Sequence, residues 1–153
     1  MFVRALVFFF LVVPGQAEWP AFRGPTNDGH YPPAADGKIY GFPTEWSEEK
    51  NIIWKTPVTG RAWSTPVIMD NEVWVTNATP DGKKMYAVCL DKATGKKTHD
   101  ILLFENENPE PLSNHVNGYG SCSPAIDSEH VYIHFGRLRN YRPRSKNWQS
   151  SLG

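Results

Sequence analysis

The chain has 153 residues, with 16 basic side chains, 16 acidic side chains and no net charge. This length favours a single domain, and the balanced charge argues against a nucleic-acid partner, since a phosphate backbone selects basic surfaces. The charge is unevenly distributed, however. Residues 18–136 hold 10 basic and 16 acidic groups, whereas residues 137–153 hold five basic groups and no acidic one.

The N-terminal segment is typical of an exported protein. Arg4 supplies a positive charge, residues 5–13 form an unbroken apolar run, and small residues follow up to Ala17. We predict a signal peptide over residues 1–17 and a secreted or periplasmic protein. A membrane anchor is the alternative, but the run is shorter than the about 20 residues that a spanning helix needs. No later segment is apolar enough to span a membrane.

Residues 18–50 are rich in proline, glycine and tryptophan and show little periodicity. Their prolines exclude a helix of useful length. We predict an irregular N-terminal arm, held to the rest of the protein by its aromatic side chains.

From Asn51 onward the pattern becomes that of short strands separated by polar turns. Turn residues occur at 70–71, 80–82 and 91–96, and Gly95 suits a positive φ. No helical period is present, so we predict an all-β fold. The predicted strands cover residues 52–56, 65–69, 72–77, 85–90, 98–104, 123–126 and 130–135.

One pattern occurs twice, with an offset of 58 residues. The first copy begins at Ser64 and continues to Val75, and the second begins at Ser121 and continues to Ile133. In each copy a proline precedes the second apolar run by seven residues. Such repeats rely on neighbouring units to bury their apolar faces. The sequence therefore predicts part of a β-propeller or a related array.

The strand at residues 86–90 and the turn DKATGK at 91–96 resemble the repeat of the pyrroloquinoline-quinone-like (quinoprotein alcohol dehydrogenase-like) β-propeller family. The opening WPAFRGP at residues 19–25 is similar to the N-terminus of exported bacterial members. The resemblance covers about residues 18–136 and identifies the chain as an N-terminal fragment. It implies a partial propeller of four-stranded blades, with about one and a half blades in residues 51–136. His99 replaces the family's blade-closing tryptophan.

Residues 137–153 depart further from the family, which would continue with a strand, a second such turn and a tryptophan. This stretch instead shows no strand alternation and is strongly basic. Our hypothesis is that this aberrant tail is an out-of-frame reading of the next repeat, produced by a frameshift. A gene-model boundary error and a genuine short form are the alternatives.

The cysteines and histidines indicate structural roles. Export permits a disulfide, but Cys89 and Cys122 lie in strand-like runs, so we predict small buried residues and leave their pairing open. His130 and His134 have the spacing of a helical metal pair. On a strand, however, four residues span about 13 Å, too far for two imidazoles to share one ion. His99 and His115 are isolated.

The loop at residues 105–118 carries Glu105, Glu107 and Glu110 beside two asparagines, and such oxygen ligands suit calcium. No EF-hand spacing is present, so we interpret the loop as solvated. We expect Asp91 and Asp127 to accept hydrogen bonds from backbone N–H groups in turns.

No catalytic, cofactor-binding or metal-binding residue is predicted. Ser64, Ser121 and Ser123 begin strands and lack the context of a nucleophile elbow. The resemblance implies an exported repeat protein that acts as a binding or scaffold module with no independent catalysis and an unknown protein or small-molecule partner. The alternative is the N-terminal piece of a PQQ-dependent quinoprotein oxidoreductase, inactive in this truncated form. PQQ and calcium would then belong to a full-length parent.

Overall fold

The computed structural model describes residues 18–31, 43–61, 63–112, 117–136 and 140–141. The predicted signal peptide and most of the basic tail lie outside these residues. The described part is all-β, as predicted, and contains no helix that could cross a membrane. Its strands are β1 (Val67–Met69), β2 (Glu72–Ala78), β3 (Lys84–Asp91), β4 (Lys97–Glu105), β5 (Ala125–Ile126), β6 (Val131–His134) and β7 (Asn140–Tyr141).

The first sheet consists of β1 to β4 in sequential antiparallel order. Its strands lie within two residues of the predicted bounds, because each apolar run ends at a turn signal. Met69 pairs with Glu72 across a two-residue loop, and Asp70 in that loop has a φ of 52°. Short hairpin loops require such positive φ values, which aspartate tolerates better than branched residues.

The turn between β3 and β4 is built around the Asp91 carboxylate. Its Oδ1 accepts hydrogen bonds from the backbone N and the Oγ1 of Thr94, at 2.8 and 2.6 Å. Gly95 follows with a φ of 70°. The predicted role of Asp91 as an acceptor of backbone N–H bonds is therefore confirmed. These hydrogen bonds, that from the Thr94 hydroxyl first, lower the pKa of Asp91.

The second sheet consists of β5, β6 and β7, with β6 in the middle. Ile133 and His134 of β6 pair with β7. β7 lies in the basic tail, where the sequence shows no strand alternation. The two sheets do not form a closed ring, and the frameshift hypothesis stays a prediction.

Two clusters of buried side chains cover opposite faces of the first sheet. One lies between the two sheets and includes Trp74 and Cys89 of the first sheet with Val131 and Ile133 of the second. The other consists of Val73, Val75, Val88 and Leu90, packed against residues that include Trp54 and Val58. β2 and β3 are thus enclosed on both faces, whereas β4 exposes Thr98, Asp100 and Leu102 on one of its faces.

The prediction of a strand at residues 52–56 was wrong. No strand of the described chain pairs with this segment, and its side chains attach it to the β3–β4 turn instead. Trp54 Nε1 donates to the Lys92 carbonyl at 2.9 Å, and Thr56 Oγ1 donates to the Gly95 carbonyl at 2.5 Å. The Trp54 ring lies directly against Gly95, where a Cβ atom would come within 3.0 Å of it.

The N-terminal arm contacts both sheets at their first strands. Trp19 and Ile68 exchange two backbone hydrogen bonds of 2.8 Å, and Ile126 N donates to the Pro20 carbonyl at 2.9 Å. The Trp19 ring packs over Gly24, which has a φ of 77°. Residues 19–20 therefore connect the free edge of β1 to β5.

Candidate binding surface at the loop end of the sheets

Three loops meet at the end of the molecule where β1 and β5 begin and β2 ends, which we call the loop end. Arg61 N donates to the Ala78 carbonyl at 2.8 Å, and Trp63 N donates to the Gly120 carbonyl at 3.2 Å. Backbone bonds therefore hold the segment before β1 both to the end of β2 and to the segment before β5.

The two sequence repeats contact each other at equivalent positions. Thr65 N donates to Ser123 Oγ at 2.8 Å, and these residues occupy the same place in the two copies, 58 positions apart. Thr76 Oγ1 donates to the Cys122 carbonyl at 2.5 Å. The starts of β1 and β5 are thus fixed to each other by polar bonds.

The three serines at the strand starts all take part in such structural bonds. Ser64 Oγ accepts from Thr76 N at 3.0 Å, and Ser121 Oγ donates to the Gly118 carbonyl at 2.7 Å. Ser123 Oγ accepts from Thr65 N, so each of the three hydroxyls is hydrogen-bonded to a nearby backbone group. This arrangement agrees with the structural role that the sequence analysis gave them.

Glycines allow the loops to approach this closely. A Cβ atom at Gly60 would lie 2.5 Å from Asn77 Oδ1, and one at Gly120 would lie 2.8 Å from the Arg61 carbonyl oxygen. Gly60 also has a φ of 87°, a conformation that L side chains rarely adopt. The loop end is therefore a tightly packed and well-defined backbone platform.

Asn77 lies beneath this platform and is almost fully buried. Its Nδ2 donates to the Thr59 carbonyl, whereas its Oδ1 has no hydrogen-bond partner within the structure and is the one such buried side-chain atom among the described residues. Leaving a buried acceptor unpaired costs about 1–3 kcal/mol. The unpaired Asn77 oxygen therefore lowers the stability of the loop end, and no other buried side-chain atom of the described residues does the same.

Trp63 projects from the platform with 55% of its surface exposed. Its ring lies over Gly118, where a Cβ atom would come 3.1 Å from the indole Cδ1. The exposed side chain of Arg61 begins beside it, 4.0 Å from the same position. An exposed tryptophan whose backbone is hydrogen-bonded to a neighbouring loop, with an arginine close by, has the composition of a protein-binding hot spot.

Sequence reasoning did not identify Trp63 as a functional residue. A signal was nevertheless present, because the second copy of the repeat has the small Ser121 at the equivalent position. A bulky aromatic residue that departs from the repeat and is not needed for its packing is a candidate for binding.

Asp127 is the hydrogen-bond acceptor of the β5–β6 turn. Asp127 Oδ1 accepts from the backbone N of Glu129 at 2.8 Å and of His130 at 2.7 Å, and Oδ2 accepts from the Tyr132 hydroxyl at 2.7 Å. These bonds, that of Tyr132 foremost, lower the pKa of Asp127 to about 2. The predicted turn role of Asp127 is confirmed.

Where it is described, the acidic loop after β4 is held to the β2–β3 turn and to Tyr119, since Asn106 N donates to the Lys83 carbonyl at 2.8 Å and the Tyr119 hydroxyl donates to the Glu110 carbonyl at 2.7 Å. Glu105 pairs with Lys84 at 3.5 Å on the surface, and Asn106 Oδ1 accepts from Asn108 N at 3.1 Å. Within the described ranges, no three His, Cys, Asp or Glu side chains form a group that could hold a metal ion. His115 lies outside those ranges. The PQQ and calcium of a longer parent stay a prediction.

Both cysteines are free thiols. Cys89 is buried as predicted, and its burial raises the pKa of the thiol to about 11. Cys122 is only half-buried, because it lies in the segment before β5 rather than inside a sheet. His99, which replaces the family's tryptophan, stacks on Trp74 with ring centroids 5.7 Å apart.

Comparison of the chain with protein-family models, with curated proteins and with solved structures found no match.

Proposed function

We propose that this chain is an exported β-propeller repeat protein that acts as a binding or scaffold module and has no catalysis of its own. The observation that carries the proposal is Trp63, which is 55% exposed although its backbone N–H is hydrogen-bonded to the Gly120 carbonyl. The exposed part of the ring adds nothing to the stability of the fold, because it is not removed from water. A partner that covers it would gain the burial of a large aromatic surface.

The geometry of the loop end supports this role. Trp63 is held to Gly120 and lies on Gly118, so little conformational freedom remains to be lost when a partner binds. Preorganisation of this kind increases affinity because the ordering cost has already been met during folding. Arg61 adds donors that suit a carboxylate or carbonyl on the partner.

The proposal is tested by photo-cross-linking at the loop end. A photo-reactive amino acid in place of Arg61 is irradiated in the exported fraction of the source cells, and cross-linked species are identified by mass spectrometry. We expect a discrete cross-linked partner that disappears in the Trp63→Ala variant. The matched control is Trp46→Ala, which removes a tryptophan of similar exposure, 62%, from the arm.

Two results would contradict the proposal. Equal loss of the cross-link in the two tryptophan variants would show that Trp63 is not the anchor. Oxidation of alcohols or sugars with dye reduction by the full-length in-frame protein, dependent on added PQQ and calcium, would instead support the quinoprotein oxidoreductase.

A further inference from the structure

The loop end contains the one asparagine of the chain that is followed by glycine, Asn117 before Gly118. Asn117 is exposed to solvent. The backbone nitrogen of the following residue can attack an asparagine side chain, and glycine hinders this attack least, because it has no Cβ atom and its backbone is the most permissive. Of the asparagines in this sequence, Asn117 therefore has the context that most favours loss of its side-chain amide.

The reaction at such a pair is deamidation through a cyclic imide. The Gly118 nitrogen loses its proton to base in the solvent and attacks Cγ of Asn117. A new C–N bond forms, the bond from Cγ to the side-chain nitrogen breaks, and that nitrogen leaves as ammonia. Water then opens the imide at either carbonyl, which gives aspartate or isoaspartate. Water is the one co-reactant, and no atom is oxidised or reduced.

The structure restrains the nitrogen that would attack. Gly118 N donates to Ser121 Oγ at 2.8 Å, and Ser121 Oγ donates in turn to the Gly118 carbonyl at 2.7 Å. The hydroxyl thus spends its one proton and an acceptor site on the same residue. Ring closure requires Gly118 N to lose its proton and to approach Asn117 Cγ, so its hydrogen bond to Ser121 must first break.

We propose that Asn117 is a modification site at which the protein deamidates, and that the Ser121 hydroxyl sets the rate of this reaction in the folded state. The exposed asparagine and its glycine supply the reactive pair, and the two hydrogen bonds of Ser121 supply the restraint. The inference goes beyond the proposed binding role and does not depend on it.

The position of the pair gives the modification a consequence for the loop end. A Cβ atom at Gly118 would come 3.1 Å from the indole Cδ1 of Trp63, and 4.0 Å from Cβ of the exposed Arg61. Deamidation places a carboxylate on the residue before this glycine, and isoaspartate also lengthens the backbone by one methylene group. Either product therefore alters the charge and the shape of the surface that carries Trp63.

The test incubates the full chain at mildly alkaline pH and follows Asn117 by peptide mapping with mass spectrometry. Asn117 should convert to aspartate and isoaspartate. Folded Ser121→Ala should convert about fivefold faster, because the hydrogen bond of Gly118 N is lost. In denaturing urea the two proteins should share one rate, higher than that of the folded unaltered chain, since the hydrogen bond exists only in the folded state.

Ser123→Ala is the matched control. It removes a hydroxyl of the same segment that accepts from Thr65 N rather than from Gly118 N. Its rate of conversion at Asn117 should stay within about twofold of that of the unaltered chain, because the Gly118 bond remains. Asn51 is an internal reference, exposed but followed by the branched Ile52, and it should remain intact.

Three results would overturn the inference. Equal acceleration by Ser121→Ala and Ser123→Ala would show a general loosening of the loop end. An Asn117 that stays unmodified in folded Ser121→Ala would show that the site does not react. A rate in urea no higher than that of the folded unaltered chain would exclude the restraint even if Ser121→Ala failed to fold. The readout needs no partner, so failure of the cross-link at the loop end would leave it unchanged.

Discussion

The two sheets derive from the same sequence pattern but differ in how completely they are buried. The first has four strands, and its β2 and β3 are covered on both faces, by the second sheet and by residues that include Trp54. The second has short strands, and in the described part of the chain Tyr132 and His134 are exposed on the face away from the first sheet. Equivalent residues therefore have different environments, which shows that the neighbouring unit, and not the local sequence, decides their burial.

The largest difference should appear between the equivalent aromatic residues. Trp74→Ala removes a fully buried ring from the cluster between the sheets and should destabilise the fold by about 3–5 kcal/mol. Tyr132→Ala should cost only about 1 kcal/mol, from the lost hydrogen bond to Asp127. Urea denaturation followed by circular dichroism measures both. Equal losses would show that the second sheet is as enclosed as the first.

A smaller difference is expected between two glycines with positive φ. Gly95→Ala forces a Cβ atom into the Trp54 ring and strains a left-handed backbone, so we expect a loss of about 2–4 kcal/mol. Gly136→Ala has only the backbone cost of about 1 kcal/mol, because no atom of the described residues lies within 4 Å of the added Cβ. The same denaturation measurement compares them. A Gly95→Ala variant as stable as Gly136→Ala would contradict the packing of Trp54 on the turn.

The reactivities of the two thiols should differ, because Cys89 lies inside the first sheet and Cys122 lies before the second. Cys89 is buried with a pKa of about 11, so its reactive thiolate is scarce at pH 8. Half-buried Cys122 should react with a thiol reagent at least about tenfold faster in the folded protein. Cys122→Ser should abolish the fast phase, and Cys89→Ser should leave it intact. A fast phase that follows Cys89 would place that residue outside the core.

The smallest effect concerns the titration of Asp127. Its folded pKa, about 2, lies below the ordinary value of 3.8, so its contribution to stability is present above about pH 4 and is lost as the pH falls towards 2. Tyr132→Phe removes the leading hydrogen bond and should raise the pKa towards its ordinary value. Carboxyl NMR shifts followed against pH measure this change. An unchanged pKa in the variant would show that the Tyr132 hydroxyl does not bond to Asp127.

The strand positions could be predicted because each apolar run is bounded by a residue with a clear turn preference. Asp70, Gly82 and Gly95 all adopt positive φ where the sequence indicated turns. The segment around Trp54 was misassigned because its apolar residues look like half of a strand pair. The segment contacts the β3–β4 turn through its side chains, and the local sequence pattern does not indicate a contact of this kind.

The candidate binding surface was not predictable to the same degree. The serines and Asp127 were correctly given structural roles, since their sequence context matches strand starts and turns. Exposure of Trp63 depends on loops that lie far apart in the sequence, such as those around Arg61 and Gly118. The backbone pairing of Trp19 with β1 also joins residues far apart in the sequence, and no short motif predicts it.

The second sheet packs on the first through the face of β6 that carries Val131 and Ile133, and Tyr132 lies on the opposite face of that strand. Methyl NOE spectroscopy tests it most directly in a methyl-labelled sample of the full chain. We predict NOEs from the Trp74 indole to methyl groups of the second sheet, with Val131 and Ile133 the candidates, and none from the Tyr132 ring to first-sheet methyls. NOEs from Tyr132 to Val67 or Leu103 would contradict it, because they would reverse the face on which the second sheet packs.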